Sequence, residues 1–251
     1  MIATLSPAKT LDYDKPIPAV TPTVPRFAAD AEKLAASAAN LSQKRLGELM
    51  HISKPLAKLN ADRFAGFMDQ PERPALYAFA GDVYTGFEAK TLDDAAVAFA
   101  QGHVRMLSGL YGLLRPLDAM RPYRLEMGTR WAPRRKGLYE FWDTRIAALL
   151  AEDLADEGSG TILNLASQEY WQAVDGKLPK LVRVIEVDFR EPGPNGPRFV
   201  SFNAKRARGM MARYLCEHRI DRVEDMKGFD SDGYRYDASE SETDRWRFTR
   251  A

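Results

Sequence analysis

The chain has 251 residues, 45% of them apolar and 28% charged, with a formal net charge of +1. That balance suits a globular protein and excludes collagenous, low-complexity and charge-rich disordered chains. One cysteine, Cys216, excludes an intrachain disulfide, no stretch approaches the ~18 apolar residues of a membrane span, and MIATLSPAKT turns polar too soon for a secretory signal, so a bacterial-type cytoplasmic monomer is expected.

In chain order, a short strand is expected over residues 1–5, followed by the loop SPAKT. Pro16, Pro18, Pro22 and Pro25 make an extended connector. An alanine-rich helix follows over 27–39, then two helices over 41–50 and 55–67 around the tight turn HISK, with Pro55 suited to a first helical turn. The stretch 71–87 reads as a strand over 75–80 and a glycine-bracketed loop, GDVYTG. Leu92, Ala96, Phe99 and His103 or Val104 fall on one helical face, so a helix is expected over 93–107.

The second half alternates more plainly. A helix over 139–154 precedes a strand over 161–165 and a helix opening at 167. The alternation VRVIEVDF marks a strand over 181–189; the turn PGPNGP and a return strand over 198–202 would complete a hairpin. The helix expected over 204–218 carries Ala207, Met210, Met211, Tyr214 and Leu215 at spacings of three and four. An acidic tail over 230–244, opposed only by Arg235, ends in a last strand, RWRF. The order predicts a compact mixed α/β fold, one domain over 1–251, without the regular βαβ rhythm of a Rossmann domain.

Charge is unevenly spread. Residues 105–136 hold eight Lys/Arg and two acids, Asp118 and Glu126, in a chain that is nearly neutral overall. A basic block interleaved with glycine, proline and tyrosine points to a bound anion or polyanion. Arg115, Arg121, Arg124 and Arg130 stand beside Pro116, Pro122 and Gly128, and guanidinium forks suit phosphate. Lys205, Arg206 and Arg208 sit early in a helix, where free N–H groups attract anions, and Gly209 within that helix implies a close approach by another group. Ser6, Lys9 and Thr10 follow a strand end, a usual ligand position in α/β folds. SPAKT lacks the glycines and the GK[ST] ending of a phosphate loop.

Six blocks carry a family resemblance: IATLSPAKTLDY, FAGDVYTGF, RMLSGLYGLLRPLDAMRPYRLEMGTR, LNLASQEYW, FNAKRARGMMARYL and GFDSDGYRYD. Together they resemble the YaaA family of peroxide-stress proteins nearly end to end. The resemblance implies a central mixed sheet with surrounding helices, a helix-hairpin-helix element within 41–67, a positively charged cleft, DNA binding and protection during hydrogen peroxide stress. It implies no agreed reaction.

Read directly, the candidates for chemistry are Lys9, Asp82, Glu126 and Glu169, polar groups in loops. A carboxylate among arginines orients a ligand, whereas one in an apolar pocket acts as a base. Ser53 and Lys54 are the hairpin candidates, although that turn has no glycine to bring its backbone close to DNA. Three histidines and one cysteine are too few for a His/Cys metal site, so no metal or cofactor is expected, and direct iron sequestration is disfavoured. Two functions stay open: a DNA-binding protein of the peroxide response, with duplex or damaged DNA as partner, and a glycosylase- or lyase-like enzyme acting on a nucleobase or nucleotide.

Overall fold

The computed structural model describes residues 1–194 and 196–250. Strand β1 (Ile2–Leu5) is buried at all four positions, as a strand covered on both faces must be. Helix α1 (Ala28–Ala39) buries Ala31, Leu34, Ala35 and Ala38, one stripe of a 3.6-residue period. In α2 (Gln43–Met50) the Ser42 hydroxyl caps the first turn by accepting the Arg45 N–H at 3.2 Å. His51 ends that helix in the left-handed region (φ 51°), and α3 (Lys54–Ala65) folds back with Pro55 in its first turn. The two helices expected around the turn HISK are therefore present.

The next segment departs from expectation. Strand β2 is only Arg73–Pro74, and residues 75–78 form one buried helical turn, α4 (Ala75–Ala78), closed by Phe79 N–H on the Ala75 carbonyl at 3.1 Å. A six-residue apolar run has no period that separates strand from helix, and burial on every side lets it coil. GDVYTG is not a loop either: Gly81 is extended and starts α5 (Asp82–Phe87).

Helix α6 (Asp94–His103) is capped by Asp93, which accepts the Ala96 N–H at 2.6 Å. It gives way directly to β3 (Val104–Ser108), four residues before the expected end. Pairing with β1 decides this: β3 is buried throughout and runs parallel to β1. Strand β4 (Gly112–Leu114) returns antiparallel to β3, and β5 (Ala119–Met120) pairs with β2. The expected long helix over 139–154 is broken at Asp143 (φ 45°) into α7 (Leu138–Trp142) and α8 (Arg145–Glu157).

Strand β6 (Thr161–Asn164), α9 (Gln168–Trp171), β7 (Arg183–Arg190) and α10 (Ser201–Glu217) follow, then β8 (Tyr234–Tyr236) and β9 (Arg245–Arg250). The expected hairpin partner of β7 is absent among the described residues. One bridge, Glu191 to Arg198, remains of it, and the chain enters α10 at Ser201. The expected turn at 192–197 includes Asn195, outside the described residues. β7 instead lies parallel between β6 and β9.

The main sheet runs β4-β3-β1-β6-β7-β9-β8. Its five central strands are parallel, a stronger α/β rhythm than the sequence suggests, and β4 and β8 close its edges antiparallel. From β1 the chain moves outward to β3; from β6 it moves the opposite way to β7. β1 and β6 are neighbours (Ile2 opposite Ile162, Thr4 opposite Asn164), so the topological switch lies between them. In open α/β sheets the crevice beyond the carboxyl ends of such strands is where ligands bind.

Helix α10 packs across α5 with glycines at the crossing. A Cβ on Gly209 would lie 1.7 Å from the Val83 carbonyl oxygen, and one on Gly86 2.1 Å from that of Arg206. The close approach that Gly209 implies is α5, not a ligand. No helix among the described residues is long and apolar enough to cross a membrane.

Candidate functional site

At the switch, the two strand ends are tied together by short side chains. The Thr4 hydroxyl donates to Asn164 Oδ1 at 3.2 Å, and the same oxygen accepts the Ala166 N–H at 3.0 Å. One step further out, Ser6 Oγ accepts the Ser167 N–H at 2.8 Å and donates to Ser167 Oγ at 3.2 Å. The Tyr84 hydroxyl donates to the Ser6 carbonyl at 3.0 Å, and burial pushes its phenol well above the usual range. Above these groups opens an inner cavity of about 390 Å³ lined by Ser6, Asp82, Ser167, Tyr170, Lys205 and Arg208.

An outer cavity of about 430 Å³ lies between the LEMGTR loop and the tip of the α2–α3 hairpin, lined by His51, Arg124, Glu126, Thr129 and Arg130. Lys9 and Glu169 line both cavities, so the two form one cleft. Glu126 is its hub: one carboxylate oxygen lies 2.8 Å from Arg124 and 3.5 Å from Lys9 Nζ. The other oxygen is buried without a partner among the described residues. Glu169 accepts the Gly128 N–H at 3.0 Å, and any side chain at Gly128 would crowd that carboxylate, since a Cβ would sit 3.1 Å from it.

Three cations in the cleft, Arg130, Lys205 and Arg208, lie beyond 4 Å of every carboxylate among the described residues. Arg208 is the unusual one. Burial lowers its pKa, partly opposed by the more distant Asp188, and its Nε has no partner among the described residues. The cleft also carries Glu48, Asp82, Glu126 and Glu169, so its charge is mixed.

The structure brings Ser6, Lys9, Thr10, Asp82, Arg124, Glu126, Arg130, Glu169, Lys205 and Arg208 to this cleft from distant parts of the chain. It does not bring Arg115 or Arg121. Arg115 is held by buried Asp118 at 2.9 Å and by the Val24 carbonyl at 3.1 Å. Arg121 pairs with Glu72 at 2.8 Å over the ring of Phe67. Arg206 is exposed on the outer side of α10, and α10 starts at Ser201, so Lys205 lies beyond its free N–H groups. Ser53 precedes α3 without a side-chain capping bond, and Lys54 lines a separate hollow between α2 and α3.

The sequence profile described as peroxide stress protein YaaA matches residues 1–240. The chain belongs to the YaaA family. Its similar relatives include a UPF0246 protein of Rhizorhabdus wittichii, 62% identical over 251 residues, covering all of this chain and 99% of the relative. UPF0246 proteins of Methylibium petroleiphilum and Idiomarina loihiensis are 47% and 45% identical, again over all of this chain and 99% of each relative. Membership in the YaaA family supports a role in peroxide stress.

Within this YaaA-family cleft, several contributors escape a reading by sequence. Ser167 follows β6 as Ser6 follows β1, so the strand-end rule that marks Ser6 would also have marked it. His51 and Thr129 carry no such signal; they reach the outer cavity only because the hairpin tip folds over the LEMGTR loop.

Proposed function

We propose that this protein acts in the peroxide stress response by binding DNA, with backbone phosphates lying against the walls of the cleft at the β1–β6 switch. The observation that carries the reading is the set of three cations there, Arg130, Lys205 and Arg208, that no carboxylate approaches within 4 Å among the described residues. A structural arginine finds a carboxylate or carbonyl, as Arg115 and Arg121 do. The hairpin tip at His51 forms part of the rim, which suits a backbone approaching from outside.

The near-neutral chain offers little long-range attraction, so binding is local. Neutralising about three phosphates gives a slope near −3 in log K against log salt. Arg130→Glu and Lys205→Glu should each weaken binding to every duplex sequence and flatten that slope by about one. Fluorescence anisotropy across a salt series reads both, and variants that bind duplex DNA like the parent would overturn the reading.

A second reading, an enzyme acting on a nucleobase or nucleotide, draws on Glu126. One oxygen is fixed by Lys9 and Arg124 while the other has no partner among the described residues, which leaves it open to a polar group of a ligand. It requires that the purified protein convert a damaged oligonucleotide or a free nucleotide, and that Glu126→Gln abolish the conversion.

A further inference from the structure

A duplex whose backbone phosphates meet Arg130, Lys205 and Arg208 from the mouth of the cleft leaves the interior of the inner cavity unfilled, and the composition of that cavity is costly. Arg208 lies two turns into α10, half-buried, with its Nε withdrawn from water and without a partner among the described residues. The charge that partly offsets this, Asp188, is already engaged by Arg190 at 2.8 Å and Arg247 at 3.3 Å. A half-buried cation with no carboxylate beside it is maintained at some expense of stability; an apolar side chain of similar length would pack there more cheaply. Lys205, one turn earlier, lines the same cavity and also has no carboxylate within 4 Å among the described residues.

The opposite wall supplies hydroxyls. Ser167 Oγ accepts a hydrogen bond from the Ser6 hydroxyl, so its own hydroxyl hydrogen is free to donate into the cavity. The local charges count to a single excess. Lys9, Lys205 and Arg208 line the cavity against Asp82 and Glu169, and a hydrogen bond from the neutral Gly128 N–H leaves the Glu169 charge in place. A volume of about 390 Å³ is at the lower end of small-ligand pockets, enough for one nucleotide and too small for paired strands.

We infer that the inner cavity seats the phosphate of a single nucleotide, with Arg208 and Lys205 as its anion anchor. The inference rests on the DNA-binding reading only in preferring a nucleotide to other phosphate esters. The same chemistry is offered by a free nucleotide and by an unpaired nucleotide swung out of a strand.

The test is calorimetric titration of the whole protein with dAMP, dCMP and inorganic phosphate, alongside anisotropy on a matched duplex and on the same duplex with one unpaired nucleotide. Heat from the mononucleotides, competed by phosphate, indicates a free ligand. Tighter binding of the duplex with the unpaired nucleotide indicates one held in a strand. Either result should fall at least about tenfold in Arg208→Met, as loss of a charge-assisted hydrogen bond implies, while the melting temperature holds or rises. Lys205→Met, at an exposed position, gives the same reading should Arg208→Met fail to fold. No heat up to about 10 mM nucleotide together with no preference for the unpaired nucleotide would overturn the inference, as would full binding by both variants. Matched-duplex binding that persists through those negative results leaves the DNA reading intact; nucleotide binding without any DNA binding sinks that reading and keeps this one.

Discussion

Cys216 is the only thiol in a chain of the peroxide stress family, and it is out of reach. It is fully buried on the inner face of α10, and burial pushes its pKa up to about 12. Peroxide attacks thiolates, so this sulfur is inert in the folded protein. Folded protein should resist both iodoacetamide and millimolar peroxide at Cys216, read by intact mass, and Cys216→Ala should protect cells from peroxide as the parent does. A sulfenic adduct forming at Cys216 within minutes would show the opposite. Single residues also mark how far the site can be read from sequence. SPAKT and RLEMGTR announce Lys9, Arg124 and Glu126 through strand-end position and charge. Arg115 and Arg121 look the same in sequence. Only the fold shows that Asp118 and Glu72 already occupy them.

Elements tell a parallel story. Long periodic helices and the alternating strand at β7 are legible because a stripe or an alternation survives any context. The short apolar runs are not: ALYAFA coils and VRMLS extends, each decided by neighbours more than fifteen residues away. The α5–α10 crossing is a sharper case, since a mid-helix glycine implies close approach without saying of what. Gly209→Ala adds about 1 kcal/mol of helix propensity but drives a methyl into the Val83 carbonyl. A net loss of about 3 kcal/mol is expected from overpacking. Gly102→Ala, in α6 with nothing within 4 Å of the new methyl, should instead gain about 0.5 kcal/mol. Urea denaturation of the two variants should give opposite signs, and a stabilised Gly209→Ala would mean the crossing is looser than described.

At the scale of the whole molecule, one partly buried ion cluster ties three distant segments. Asp153 on α8 receives Arg26, which precedes α1, at 2.8 Å and also Arg105 of β3. Burial works to raise the Asp153 carboxyl, and the hydrogen bonds and charges of the two arginines outweigh it, leaving its pKa lowered. A carboxyl depressed in the folded state stabilises above its unfolded value, about 3.9, and loses that contribution as pH falls through the folded value. Asp153→Asn should therefore cost about 3 kcal/mol at neutral pH, with the gap to the parent narrowing below about pH 4. Urea midpoints at several pH values measure both, and a gap that stays constant down to pH 2 would refute the assignment.

The pairing of β1 with β6 also sets a clock. Ile2 and Ile162 are 160 positions apart, so Ser6 leaves the ribosome long before Ser167. At ordinary elongation rates that delay is roughly 8–30 s. β1 gains β3 as a first neighbour earlier, but no anion anchor exists until β6, and later α10, have been synthesised. A chain interrupted before residue 161 is thus not a weakened version of the protein; it has one bank of the crevice and no other. The delay between the start of synthesis and a complete crevice thus has a floor set by the length of chain that separates two adjacent strands.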